Sequence, residues 1–309
     1  MQPPSRRFLR AAPICAALVL ILDGHSATAQ ALTGSLKKIK ESGEITIGYR
    51  ESSIPFSYVA DGGAPIGYSL DLCGRVVDAV KRQLNLRALK VRQLPVTSQS
   101  RIPLVANGTI ALECGSTVNN AERQRQVAFS VTTFVVSTRF VAKKQAHYKT
   151  IEDLKGKTVV CTAGTNTLAR VRELSATRGL DLDIIVGKDH DDSMQSVAVG
   201  RAEAFFEDDI LLAGLVAASS DPEDYALSTE GYSLDAYGLV LRKDDLEFKK
   251  VVDRTLTDLF RGGEIIDIYD RWFLKPIPPR QRLLNFPMPS ALLKAIAEPT
   301  DSFDPAAYR

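Results

Sequence analysis

Apolar runs of strand length alternate with amphipathic helical stretches along nearly the whole chain, and that alternation restricts it to α/β units. Ile45 to Tyr49 reads as a first strand. Asp71 to Leu84 reads as its covering helix, because Leu72, Val76, Val77, Val80 and Leu84 fall on one helical face. Val91 to Leu94 is strand-like, Arg101 to Asn107 is a short helix closed by Asn107-Gly108, and Ala111-Leu112-Glu113 is the next strand. A second series starts after Phe129-Ser130. It has strands at Thr138–Lys144, Val159–Thr162 and Ile184–Val186, and helices from Gly164-Thr165-Asn166 to about Arg178 and over Ser193–Val199. A short strand, Ala204-Phe205-Phe206, stops at the acidic cluster Glu207-Asp208-Asp209. One more strand, Tyr237 to Leu241, and helices near Leu246–Arg261 and Ile265–Phe273 complete the pattern. The tail beyond Pro279 is expected to wrap the surface without regular structure. Two such series with a late return predict two lobes joined by more than one crossing, with ligand sites at the carboxyl ends of the strands.

The segment from Met1 to Ala29 carries the marks of a secretory signal: Arg6, Arg7 and Arg10, an apolar stretch from Ala11 to Leu22, and the small-residue site Ala27-Thr28-Ala29. The stretch is shorter than the roughly 20 apolar residues a spanning helix needs, so an exported, soluble chain of about 280 residues is expected. The formal charge of +2 belongs to that leader. Without it, acidic and basic side chains are equal in number, and charge gives no argument for nucleic acid or a membrane surface. Cys73, Cys114 and Cys161 remain, an odd number that leaves at least one thiol free. Only His147 and His190 remain of the histidines, too few for a metal site, and no cofactor is expected.

Three clusters combine arginine with hydroxyls where strands end. Cys114-Gly115-Ser116-Thr117-Val118-Asn119-Asn120 is a polar turn running into a helix-like stretch that holds Arg123, and an anion there would meet turn amides, the Ser116 hydroxyl and a guanidinium. Arg50 follows the first strand. Ser98 and Arg101 stand where the third strand meets its helix, and Arg101 in a first helical turn opposes the helix dipole unless an anion accompanies it. Gly164-Thr165-Asn166 offers further amides, His190 a donor, and Asp208 an acceptor for an ammonium group, although periodicity does not settle which of Glu207, Asp208 and Asp209 points inward. Each of these also has a plain reading as a cap or a surface side chain. No nucleophile–base pair accompanies them, so binding fits better than chemistry. Gly156-Lys157-Thr158 imitates the end of a P-loop, but Ile151 stands where its first glycine belongs.

Those stretches, together with Arg101-Ile102-Pro103-Leu104, Lys188-Asp189-His190, Leu211-Leu212-Ala213-Gly214, Ala236-Tyr237-Gly238 and Pro276-Ile277-Pro278-Pro279, run in order from about residue 33 to 300. In them the chain resembles the periplasmic amino-acid-binding proteins of ABC importers (solute-binding protein family 3), and among these the members that bind glutamate and aspartate. The resemblance implies the two-lobe α/β fold of type II periplasmic binding proteins, each lobe a mixed sheet flanked by helices, joined by two hinge strands. The divisions are a signal peptide over 1–29, a first lobe over 30–135 and 238–309, and a second lobe over 136–237. It implies that Arg50, Ser98, Arg101 and His190 hold a side-chain carboxylate, Arg123 the α-carboxylate, and Ser116 and Asp208 the α-ammonium. Val118 and Asn166 stand where the family has threonines that help hold the α-carboxylate. Relatives that bind basic amino acids carry an aspartate in place of Arg50. The implied partners are an acidic amino acid and an inner-membrane ABC permease, for a monomer in the periplasm with no nucleic acid and no catalytic residue. Because Cys73 and Cys161 depart from the family, no disulfide is carried over. The competing reading is an exported enzyme of the same fold, like a cyclohexadienyl or arogenate dehydratase. It needs an apolar slot for a ring, where Arg50 and Arg101 are expected.

Overall fold

The computed structural model describes residues 1–2, 32–60 and 62–309, so the expected leader lies almost wholly outside the described residues. Two five-stranded mixed sheets organise residues 32–309. In the first the order is Lys90–Pro95, Glu44–Tyr49, Leu112–Glu113, Val240–Arg242, Val127–Phe129, the first three parallel and Val240–Arg242 antiparallel to both neighbours. In the second the order is Asp183–Gly187, Thr158–Thr162, Ala204–Asp208, Thr138–Lys143, Tyr225–Leu227, again three parallel strands followed by an antiparallel pair. A short antiparallel ladder, Phe134–Val136 against Asp235–Tyr237, carries the chain between the two lobes.

Helices cover the sheets as the apolar spacing requires. Tyr68–Gln83 and Leu246–Arg261 bury Leu72, Val76, Val80, Phe248, Val252 and Leu256 against the first sheet, each removing apolar surface worth about 1.5–3 kcal/mol. Asn166–Arg178 and His190–Ala198 flank the second sheet. Among the described residues no helix is long and apolar enough to cross a membrane.

Four expectations change. The strand Ala204–Asp208 runs through Glu207 and Asp208 instead of stopping before them, because cross-strand pairing to Arg139 and Thr138 continues. The stretch Tyr237 to Leu241 is two strands, Asp235–Tyr237 and Val240–Arg242, since the chain leaves the hinge ladder at Gly238 and joins the first sheet. The second-lobe helix starts at His190 rather than Ser193, because Asp189 caps it by accepting from the Asp192 amide. The tail beyond Pro279 includes a helix, Ser290–Ala297, that buries Leu292 and Ala295. Cys73 and Cys114 form a disulfide, and Cys161 is a buried free thiol.

Candidate functional site

All nine candidate residues lie at or just beyond the carboxyl ends of parallel strands, so the two sheets present them to one cleft. Arg50 follows Glu44–Tyr49, Ser98 and Arg101 follow Lys90–Pro95, and Ser116, Val118 and Arg123 follow Leu112–Glu113. From the other lobe, Asn166 follows Thr158–Thr162, His190 follows Asp183–Gly187, and Asp208 ends Ala204–Asp208.

The arginines are held in place while parts of their guanidinium groups stay open. Arg50 and Arg101 are 1 % and 2 % exposed. Arg101 Nη1 donates to the Ser116 carbonyl at 3.0 Å, and among the described residues its Nε has no partner, nor has Arg50 Nη1. Arg123 donates from Nη1 to the Val118 carbonyl (2.7 Å) and from Nη2 across the cleft to the Gly164 carbonyl (3.2 Å). Burial first, and then the Arg101 charge, lower the Arg50 and Arg123 guanidinium pKa values to about 10 and about 9, so both stay cationic at neutral pH. Ser98 and Ser116 bury hydroxyls without partners. Ser98 is not the helix cap: Ser100 holds that place, and its Oγ accepts from the Thr97 amide.

Acidic groups oppose these cations. Asp208 accepts a short hydrogen bond from the Tyr237 hydroxyl, while its Oδ1 is unpartnered. Burial, followed by Glu207, pushes its pKa well up. His190 is 1 % exposed, with Nδ1 at 3.0 Å from Thr162 Oγ1 and 3.5 Å from Glu207 Oε2. Burial and then Arg50 and Arg101 hold its pKa well below the usual histidine value, so it is neutral. Val118 presents backbone, not side chain: its residue bridges to Tyr237, and Gly238 donates to the neighbouring Thr117 carbonyl. Asn166 spends its side-chain carbonyl on Asn120 Nδ2, at 3.1 Å.

Two further buried acids join the site, Glu113 and, from the acidic cluster, Glu207. Glu113 is fully buried, accepts from Thr117 Oγ1 at 2.7 Å, and among the described residues leaves Oε1 unpartnered beneath the turn over residues 114–120. Glu207 accepts from Thr167 Oγ1 and from the Asp208 amide, both at 3.2 Å, and burial raises its pKa to about 7. Their only sequence signal is position, immediately before the Cys-Gly-Ser turn and before Asp208. Gly115 and Gly164 are glycines for lack of space: a Cβ at Gly115 would meet Arg50 Cγ at 2.8 Å, and one at Gly164 the Gln99 amide nitrogen at 2.7 Å. The second of these contacts crosses the cleft. The arrangement gives buried cations and hydroxyl donors on one side and carboxylate acceptors on the other. It complements a small molecule that carries carboxylates and an ammonium group.

Residues 45–275 match the family model of bacterial extracellular solute-binding proteins, family 3. The chain is 51% identical over 296 residues to the L-glutamate/L-aspartate-binding protein of Pseudomonas aeruginosa, covering 95% of this chain and 98% of that protein. It is 43% identical to the glutamate/aspartate import solute-binding protein of Escherichia coli, covering 94% of this chain and 97% of that protein. Among solved structures, a substrate-binding protein of an ABC uptake transporter from Streptococcus pneumoniae, with bound histidine, aligns with TM-score 0.70 at 21% identity, covering 77% of this chain and 96% of that one. The arginine-bound form of truncated ArgBP from T. maritima aligns with TM-score 0.63 at 26% identity, covering 72% and 99%.

Proposed function

The chain belongs to family 3 of the bacterial extracellular solute-binding proteins, and from that premise we propose that it captures L-glutamate or L-aspartate between its lobes and delivers it to an inner-membrane ABC permease. One observation carries the choice of ligand. Among the described residues, Arg50 Nη1, Arg101 Nε and the Ser98 and Ser116 hydroxyls are buried donors without partners, and Asp208 Oδ1 is a buried acceptor without one. Leaving such groups unpaired is costly, and a ligand with two carboxylates and an ammonium pairs them. A cationic side chain would sit beside Arg50 and Arg101 instead, at a cost of several kcal/mol.

In this reading Arg50, Ser98, Arg101 and His190 hold the side-chain carboxylate, while Arg123, Asn166 and the Val118 backbone hold the α-carboxylate. Ser116 and Asp208 take the ammonium. The first lobe spans 30–135 and 238–309 and the second spans 136–237, with the ladder between Phe134–Val136 and Asp235–Tyr237 as hinge. The protein works as a monomer in the periplasm after removal of the segment Met1 to Ala29. The relatives that match over nearly the whole chain are binding proteins, which favours this reading over an exported dehydratase.

Isothermal titration with L-glutamate, L-aspartate, L-glutamine and L-arginine tests it. Saturable binding of the two acids alone is expected, and binding of L-arginine would overturn the proposed polarity. Arg101→Ala, which removes one buried charge from a carboxylate, is expected to cost about 2–5 kcal/mol, at least about 30-fold in affinity. An unchanged affinity for both acids removes the central claim.

A further inference from the structure

Asn120 and Asn166 come from opposite lobes, and their side chains meet directly. Asn120 caps the single helical turn Ala121–Gln124, its Oδ1 accepting from the Arg123 amide at 2.8 Å. That bond identifies the oxygen, so the atom aimed across the cleft is the donor Nδ2. Asn166 opens the helix Asn166–Arg178, but Thr165 caps that helix by accepting from the Leu168 amide, so the Asn166 amide is free of duty within its own lobe. Its Oδ1 receives Asn120 Nδ2 at 3.1 Å. Two other contacts cross at the same place: Arg123 Nη2 on the Gly164 carbonyl, and Gly164 packed on Gln99.

We propose that Asn120 and Asn166 form a latch between the lobes that sets how long a ligand stays enclosed. This rests on the reading of the cleft as a ligand site, and it gives Asn166 a second task there. Its carbonyl closes the lobes while its Nδ2 stays available to the α-carboxylate, and Asn120 takes part in retention without touching the ligand. A threonine hydroxyl would have to accept and donate from one atom that lies one bond closer to the backbone, whereas Asn166 divides the two tasks between Oδ1 and Nδ2. The latch is partly buried, where a neutral hydrogen bond slows opening by about three- to ten-fold.

Asn120→Ser separates the roles, because serine keeps the capping oxygen and gives up the amide donor. Radiolabelled L-glutamate bound to the full chain is chased with excess unlabelled L-glutamate, and its dissociation is followed for wild type, Asn120→Ser, Asn166→Ala and the double variant. Asn120→Ser is expected to dissociate about three- to ten-fold faster with unchanged thermal stability. Asn166→Ala is expected to dissociate at least as fast, and Asn120→Ser to add nothing on that background. Wild-type dissociation by Asn120→Ser, or multiplied effects in the double variant, overturns the latch. If wild type retains no L-glutamate, the reading of the ligand fails separately. Small-angle scattering then decides the latch: Asn120→Ser must enlarge the radius of gyration, and an unchanged radius overturns it.

Discussion

At the scale of single residues, Glu207 and His190 give opposite pH dependences from one contact. Burial raises the Glu207 pKa to about 7, against 4.5 in an unfolded chain. Between those values the folded protein keeps a proton that the unfolded chain has released. Its stabilising contribution is therefore complete below about 4.5 and is lost as pH rises through about 7. His190, held well below 6.5 by burial and by Arg50 and Arg101, is the mirror case: the unfolded chain binds the proton first, and stability falls as pH drops below 6.5. Glu207→Gln deletes only the first dependence. The difference in Tm, variant minus wild type, measured without dicarboxylate buffers, is expected to grow from pH 4.5 to 7 and level off above. A difference flat across that window would show that Glu207 is ionised in the fold. Of the cleft arginines, Arg101 was legible because a cation in a first helical turn opposes the helix dipole, whereas Arg50, after its strand, read equally well as a surface side chain. Glu113 and Glu207 were not, because a buried carboxylate on a short apolar strand leaves no periodic trace, and only packing reveals which way it points.

At the scale of elements, the helix Tyr68–Gln83 fixes the turn over residues 114–120 at two adjoining points. Cys73 is joined to Cys114, and Ser69 Oγ donates to the Gly115 carbonyl at 2.8 Å. The bridge closes a loop with a sequence separation of 41, for which loss of unfolded-chain entropy gives about 4 kcal/mol. Cys73→Ala/Cys114→Ala is expected to lower the unfolding free energy in urea by about that amount. A loss near zero would mean that the thiols are reduced in the working protein. Three cysteines in a sequence give three possible pairs, and only the fold brings helix and turn together, so the pairing could not be read in advance. The long amphipathic elements could be, since Leu72, Val76 and Val80 repeat at helical period. The three-stranded meander of Ser52–Ser53, Ser57–Val59 and Pro65–Ile66 was missed because strands this short carry no period. The break at Gly238 was missed for another reason: apolar residues on both sides let one run serve two sheets.

At the scale of the whole molecule, the ladder at Phe134–Val136 and Asp235–Tyr237 is also where the site is tied to the hinge. Asn119 of the turn over residues 114–120 donates to the Ala236 carbonyl at 2.8 Å, and Tyr237 of the same strand donates to Asp208 at the end of the second-sheet strand Ala204–Asp208. A ligand that pairs with Asp208 and with the turn therefore acts on both lobes and on the strand between them. If closure and binding are one event, one Kd must describe two observables as L-glutamate is added: contraction in small-angle scattering, which saturates with occupancy, and the rise in Tm, which continues logarithmically beyond it. At about 100 times Kd, mass action stabilises the liganded form by about 2.7 kcal/mol, which for a chain of this size raises Tm by about 5–10 °C. L-Arginine should change neither. A contraction midpoint well below the Kd that fits the Tm rise would point to a separate site acting on the hinge. A Tm rise with no contraction would mean that the ligand enters lobes already closed, and the contacts at Asn120, Arg123 and Gly164 would then hold the cleft shut by themselves.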